Sequence, residues 1–430
     1  MNAVISLDRL RFEFNRLRER LWLRPLLICV LSIGAAVAAR LADGLGLSHL
    51  VPEITVDSVQ SLLSIMASSM LVIATFALSS MVSAYASAAG TATPRSFPLV
   101  LADDGSKNAL STFIGAFIFS IVALVATKNH YFGTTGIFVL FLITVLVFGI
   151  VVVTFVRWSD SIARLGRLGS TIDKVEAACA AALRRRRHAP TLCARLRAGQ
   201  VGGHAVHTRS IGYVQHVDVS ALQAWAERHQ AWVVVEVQPG TFVTPDRPLA
   251  LIKTDQGEAP EGPTDAIVDA FTIHGDRVFE DDPRFGLVVL SEIAARALSP
   301  AVNDPGTAID TIGTLVRLFS IWIGPESDSA PAAPEYDRVY VAELAAGDLF
   351  DDAFSAIARD GAGSVEVGLR LQKALLALAR MGDETVRKAA RSHSILALKR
   401  AELALQLDED RERLRAAAAE WESLSAAPDS

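Results

Sequence analysis

Three long stretches of this chain lack any ionisable side chain. From Val59 to Tyr85, Ala109 to Thr127 and Thr134 to Val156 there is no Asp, Glu, Lys, Arg or His, whereas a surface helix of a soluble domain sets a polar face opposite its apolar stripe. Each stretch is about long enough to cross a hydrocarbon core of roughly 30 Å as a helix. The missing charges also exclude a class of function. Pumps and proton-coupled carriers keep ionisable groups near the bilayer midplane despite their cost, so neither a proton relay nor a charged selectivity ring within the spans is expected.

Cysteine is scarce as well. Cys29, Cys179 and Cys193, the last two placed in a helical stretch, form neither a disulfide framework nor a metal-spaced cluster. There is no basic excess: the formal net charge is -6, which argues against a general nucleic-acid binder, since such proteins displace counterions with clustered Lys and Arg. No Gly-rich phosphate loop, G-x-S-x-G elbow or H-E-x-x-H pair occurs, so no enzymatic role and no cofactor is expected. His204, His207 and His216 fall on strand-like segments at spacings that do not converge, and no metal site is expected from them.

A fourth apolar run, Pro25 to Leu41, precedes the other three. The expected fold is an α-helical membrane bundle of four transmembrane helices over residues 25–156, followed by a cytoplasmic α+β domain with a helical C-terminal part. Its expected divisions are a basic N-terminus (1–24), a basic juxtamembrane linker (157–203), a small β-rich subdomain (204–280) and a helical subdomain and tail (281–430). Arg9, Arg11, Arg16, Arg18, Arg20 and Arg24 precede the first span, and Arg157, Arg164, Arg167 and Lys174 follow the fourth. Cationic flanks stay on the cytoplasmic side, so both termini are expected there. Ala36 and Ala38 imitate a signal-cleavage site, but the long basic segment before them favours a retained anchor.

The second span carries a patterned face. Ser61, Ser64, Ser68, Thr75, Ser79 and Ser83 recur at spacings of three, four or seven, which aligns their hydroxyls along one side of a helix, with Val72 in the gap. Such a face either lets helices pack closely or lines a path for an ion or polar solute. Ser111 and Gly115 in the third span suit helix packing. After the fourth span, Asp160 to Leu183 reads as a helical continuation closed by Arg184, Arg185, Arg186 and Arg187. That run either holds anionic lipid headgroups or is a solvated topology signal.

Further on, Ala205–Arg209, Ile211–Val217, Trp232–Val237, Leu249–Lys253 and Val339–Ala342 read as strands and Ser220–Gln230 as a helix. Asp282-Pro283 and Asp304-Pro305 each set an N-cap acceptor before a proline suited to a first helical turn. Two amphipathic helices are therefore expected, Arg284–Leu298 and Gly306–Ile323, joined by a corner at 299–303. Asp281, Arg296, Asn303 and Asp304 are the polar candidates there, either as a ligand corner or as helix caps. Helices follow at Leu349–Arg359 and Ser364–Met381, and a long helical tail runs from Asp383 with Leu396, Leu403 and Leu407 inward.

The motif at 282–287, Asp-Pro-Arg-Phe-Gly-Leu, and that at 296–308, Arg-Ala-Leu-Ser-Pro-Ala-Val-Asn-Asp-Pro-Gly-Thr-Ala, resemble the signature of the bacterial predicted membrane proteins catalogued as domain of unknown function 2254. The Ser-rich second span and Gly-Tyr-Val-Gln at 212–215 are similar to that family too. The resemblance implies a bacterial inner-membrane location and this domain order, and it supplies no activity and no catalytic residue. The expected role is an oligomeric channel-like pathway for small ions or solutes with a cytoplasmic regulatory domain. The alternative is a membrane-anchored sensor or scaffold that binds a ligand or protein through its cytoplasmic domain. Membrane lipids and further copies of the chain are the expected partners.

Overall fold

The computed structural model describes residues 23–45, 52–91, 93–101, 104–162, 167–197, 199, 202–254, 264–324 and 334–425. The arginines expected to hold the N-terminus, from Arg9 to Arg20, lie outside them, as does Arg164. The chain divides into two bodies, one ending at Thr171 and the other starting at Ile172.

The first body is a bundle of α1 (Leu23–Ala42), α2 (Val56–Thr91), α3 (Asp104–Lys128) and α4 (Thr134–Ile162). By length and composition, Val56–Ser87, Gly105–Lys128 and Thr134–Ile162 can each cross a membrane. The 20 residues of α1 reach about 30 Å at 1.5 Å per residue. The central helix is α3, because it alternates small and large residues on the faces it turns to α1, α2 and α4. Its Ala109, Ala116 and Ala123 admit neighbouring helices closely, and its Phe113 and Phe119 fill the gaps with Leu63, Met70, Leu140 and Trp158. Ser111 is buried in this packing and its hydroxyl bonds the Lys107 carbonyl of its own helix, which removes a polar group that lipid could not satisfy. The outer surface of the bundle is apolar, with Ile65, Leu71, Phe76, Leu146 and Val153 all exposed.

One carboxylate ties the ends of two helices. Asp43, just past α1, accepts the backbone N–H groups of Gly133 at 2.8 Å and Gly136 at 2.6 Å. It thereby supplies negative charge and acceptors to the free amides at the start of α4. A side chain at Gly136 would run into Asp43 and the Ala39 carbonyl. Beyond the bundle, the expected continuous helix is interrupted at Arg167, which is not helical, with residues 163–166 outside the described ones. α5 (Leu168–His188) runs from there and ends on the arginine run.

The second body holds two sheets. Strands β1 (Ala194–Leu196), β8 (Tyr336–Val341), β4 (Ala231–Val235), β6 (Pro248–Thr254) and β2 (His204–His207) form a five-stranded sheet in that order, and β5 (Phe242–Val243), β3 (Gly212–Val217) and β7 (Phe271–His274) form a three-stranded one. β4 pairs antiparallel with β6, with Val233 opposite Ile252, and parallel with β8, with Val233 opposite Val339. Helix α6 (Val219–Arg228) packs its Leu222 and Trp225 into the same core.

The expected boundary at 280/281 is therefore not a structural division. β8 comes from the helical segment and β1 from the juxtamembrane one, and both complete the sheet. A parallel pair requires a long crossover, and here α7 (Pro283–Ala297) and α8 (Pro305–Ile323) supply it. Cys193, expected in a helix, sits in a turn with φ 61 immediately before β1.

α8 is also long and apolar enough to cross a membrane, but it carries Asp310 and Arg317. Its apolar face is already covered. Phe319 lies 4.7 Å from Phe350 and 5.5 Å from Phe354 of α9 (Ala346–Asp360), and Arg317 forms a two-pronged bridge to Glu176 of α5, both contacts at 2.7 Å. We therefore read it as the core helix of the second body. The apolar face of α10 (Val365–Met381) packs against both α8 and α11 (Glu384–Ala404).

The expected tail is two helices, α11 and α12 (Asp408–Ser425), broken at Leu405–Leu407. Leu396, Leu403 and Leu407 point outward, contrary to the sequence reading. The inward face of α11 is instead Val386, Ala390, His393, Ser394, Ala397 and Ala401, small enough to bring the helix close to α10. Ser394 and Gln372 of α10 satisfy each other there, the amide donating to the Ser394 carbonyl at 3.0 Å and the hydroxyl to the amide oxygen at 2.5 Å.

His393 is buried beside Phe350, 3.2 Å from Asp351. Burial holds its pKa below 6.5, with Asp351 opposing. The unfolded chain takes up a proton here more readily than the folded one. Stability of the second body should thus fall as pH drops below 6.5 toward the folded-state value, and His393→Gln should flatten that slope in urea unfolding curves recorded between pH 7.5 and 5; an unaltered slope contradicts this.

Candidate functional site

The hydroxyl face of α2 looks away from its own bundle. Ser61, Ser64, Ser68, Thr75, Ser79 and Ser83 are all exposed, while Leu63, Met66, Met70, Ala74, Ala77 and Met81 on the other side are buried against the neighbouring helices. The three- and four-residue spacing that aligned the hydroxyls also fixed this separation. Ser68 donates to the carbonyls of Ser64 and Ile65 at 3.1 and 3.0 Å, and Thr75 to those of Leu71 and Val72 at 3.1 and 2.8 Å. Each hydroxyl keeps its lone pairs for another partner. Toward the end of the helix, Ser79, Ser80, Ser83 and Ser87 line an open hollow of 470 Å³ with Ala84 and Ile162. Ser111 and Gly115 instead sit buried in α3, where they serve helix packing.

The polar candidates of the corner do not form one site. Asp281 precedes the first turn of α7, whereas Arg296, Asn303 and Asp304 lie at its far end. The 15-residue helix separates them by roughly 20 Å. Asp304 is committed to capping α8: its carboxylate accepts the Thr307 N–H at 3.1 Å and the Thr307 hydroxyl at 2.6 Å, and these bonds hold its pKa below the usual carboxylate range. Its own N–H donates to Ala297 and that of Asn303 to Ser299, both at 2.8 Å. Asn303 adopts φ 50, a left-handed turn that Asn tolerates better than most side chains. Arg296 and Asn303 are exposed.

At the other end of α7 a denser cluster forms around Asp282. This carboxylate is 1% exposed. Arg277 grips it with both prongs, at 2.7 and 3.0 Å, and it accepts the Phe285 N–H at 3.1 Å as the helix cap. Burial raises its pKa, and Arg277 and the Phe285 amide pull against that rise. Asp281 meets the His216 Nδ1 at 2.6 Å, so His216 has a carboxylate neighbour that its sequence position does not disclose. Cys179 donates its thiol to the Pro283 carbonyl at 3.4 Å, and burial pushes its pKa far up, which makes it an unreactive packing group.

The arginine run reaches into the same body. Arg185 bonds the Glu280 carbonyl, Arg186 bonds Gln238, and Arg187 bonds the carbonyls of Ile321 and Gly324. The four arginines therefore do not share one exposed face. The helix presents successive residues about 100° apart, so Arg186 turns inward while Arg184 and Arg185 remain exposed. Sequence reasoning missed Arg277. Pro239-Gly240 reads in the sequence as a turn, and the structure adds that Gly240 has φ 91 and that a Cβ there would lie 2.3 Å from the Asp282 carboxylate. Gly240→Ala should cost at least about 2 kcal/mol, from the backbone conformation and the displaced carboxylate together; differential scanning calorimetry of the purified protein reads this, and an unshifted midpoint contradicts it.

Uncharacterized proteins of Mycobacterium tuberculosis and Mycobacterium bovis are each 37% identical to the chain over 116 residues, a match that covers 26% of this chain and 22% of theirs. The matched part is thus a minor share of those relatives. No solved structure matches the chain. The family model described as predicted membrane protein of domain of unknown function 2254 matches residues 18–377. That span takes in all four bundle helices, both sheets and the capped helix pair, and the chain belongs to this family of predicted membrane proteins.

Proposed function

We propose that the protein assembles as a homo-oligomer in the bacterial inner membrane, with α2 faces from several copies lining a route for small ions or solutes and the second body regulating it from the cytoplasm. The outward hydroxyl face carries this reading. Among the described residues, Leu63, Phe113, Phe119 and Leu140 fill a single bundle, which favours a route between copies over one within a copy. Six hydroxyl side chains facing acyl chains would gain nothing from lipid, while the same face turned to other copies would give a path that replaces part of a solute's hydration. Lipids contact the remaining apolar flanks. The charge distribution supports both termini in the cytoplasm.

Protein reconstituted in liposomes should pass a small ion or osmolyte, and Ser68→Leu or Ser79→Leu should lower that flux several-fold, because a branched apolar group replaces a hydroxyl at the lining. Ser68→Cys should cross-link between copies on oxidation. Impermeability across a broad solute panel, with no cross-link, would overturn the pathway. Enzyme reporters fused after Ser170 and at Ser430 should be active only as cytoplasmic fusions; activity on the opposite side would reverse the orientation.

A further inference from the structure

Arg186 is buried to 6% exposure, and among the described residues no carboxylate bonds it directly. Its Nη2 donates to the Gln238 side-chain oxygen at 2.6 Å and to the Ala342 carbonyl at 3.4 Å, and its Nε has no acceptor among the described residues. Burial brings its pKa down to about 10, with Asp281 and Glu343 acting only through longer-range attraction, so it remains a cation at neutral pH. A buried charge without a counterion is costly. Arg187 differs, because its two prongs cap the end of α8 at the Ile321 and Gly324 carbonyls, both at 2.8 Å.

Arg186 forms part of the wall of a 310 Å³ cleft, together with Trp322, Glu343, Asp383 and Thr385. That volume suits a small ligand. The two acids differ in what they offer. Asp383 caps α11, accepting the Val386 N–H at 2.9 Å and the Thr385 hydroxyl at 2.7 Å, which commits its charge to the helix. Glu343 is exposed and is free to attract a cation at the mouth, where the half-exposed Trp322 ring adds an aromatic face. A pure anion would meet Glu343, and a pure cation would meet Arg186.

We infer that this cleft binds a small zwitterion, its oxyanion on the Arg186 guanidinium and its ammonium toward Glu343 and Trp322. A planar guanidinium fork matches phosphate or carboxylate oxygens. This binding role does not depend on the pathway reading. The chemistry fits either a free molecule or the headgroup of an ethanolamine lipid.

Full-length protein in phosphatidylcholine nanodiscs should bind phosphoethanolamine in calorimetric titration more tightly than inorganic phosphate. Arg186→Lys should weaken both by about tenfold or more, the loss of a buried charge-assisted fork. Glu343→Gln alters an exposed side chain and tests the other end: it should weaken phosphoethanolamine about threefold and leave phosphate unchanged. A thermal shift seen only in discs containing phosphatidylethanolamine, with the same dependence on both residues, assigns the chemistry to a lipid headgroup. Equal affinity for the two probes, or no response in either format, or responses that both variants leave intact, overturns the inference.

Discussion

The second body depends on one buried carboxylate. Asp282 starts α7, takes both prongs of Arg277, and fills the space that Gly240 leaves open. Its immediate neighbour Pro283 receives the Cys179 thiol of α5. A charge that deep costs several kcal/mol by itself, and losing one partner of such a pair costs about 3–5 kcal/mol. The geometry of the turn before β5, the loop after β7 and the first turn of α7 is thus fixed together. Small residues next to this cluster follow from the same constraint: Gly286 has no room for a Cβ against Cys179.

The membrane bundle is organised by the opposite rule, the exclusion of charge. Its helices offer lipid an apolar surface, and the hydroxyls buried inside, at Ser111, Ser120, Thr127 and Thr144, bond carbonyls one turn back in their own helices. Polar groups are thereby satisfied without crossing a helix interface. Asp43, whose carboxylate joins helix ends, sits where α1 has finished and α4 begins. On the outward face of α2, Ser68 and Thr75 are satisfied in the same way, so what sets the six hydroxyls of that face apart is their position outside the bundle, and the proposed assembly of copies rests on that position.

The helices were legible because their signals are local. Four apolar runs gave α1 to α4, and the two Asp-Pro pairs gave the starts of α7 and α8, since a cap and a preset proline act within one turn. β1, β5 and β7 left no comparable trace, being two to four residues long and defined by partners far along the chain. The C-terminal face was misjudged for a related reason. Leucines suggest an interior, yet α11 packs through alanines because closeness to α10, rather than side-chain volume, decided which face turned in. The arginine run reads as one charged feature, but its members point in different directions once the helix continues through it.

By itself the sequence determined which segments are apolar enough to cross a membrane, the placement of most helices and the alignment of the α2 hydroxyls, because charge exclusion, capping and periodicity act along the chain. Only the tertiary structure decided that this hydroxyl face lies outside the bundle, that Asp281 and Asp304 stand at opposite ends of a helix, and that Arg186 is a buried cation beside a cleft. Those facts depend on which surfaces meet, and packing between segments far apart in the chain is set by shape and desolvation rather than by any local pattern.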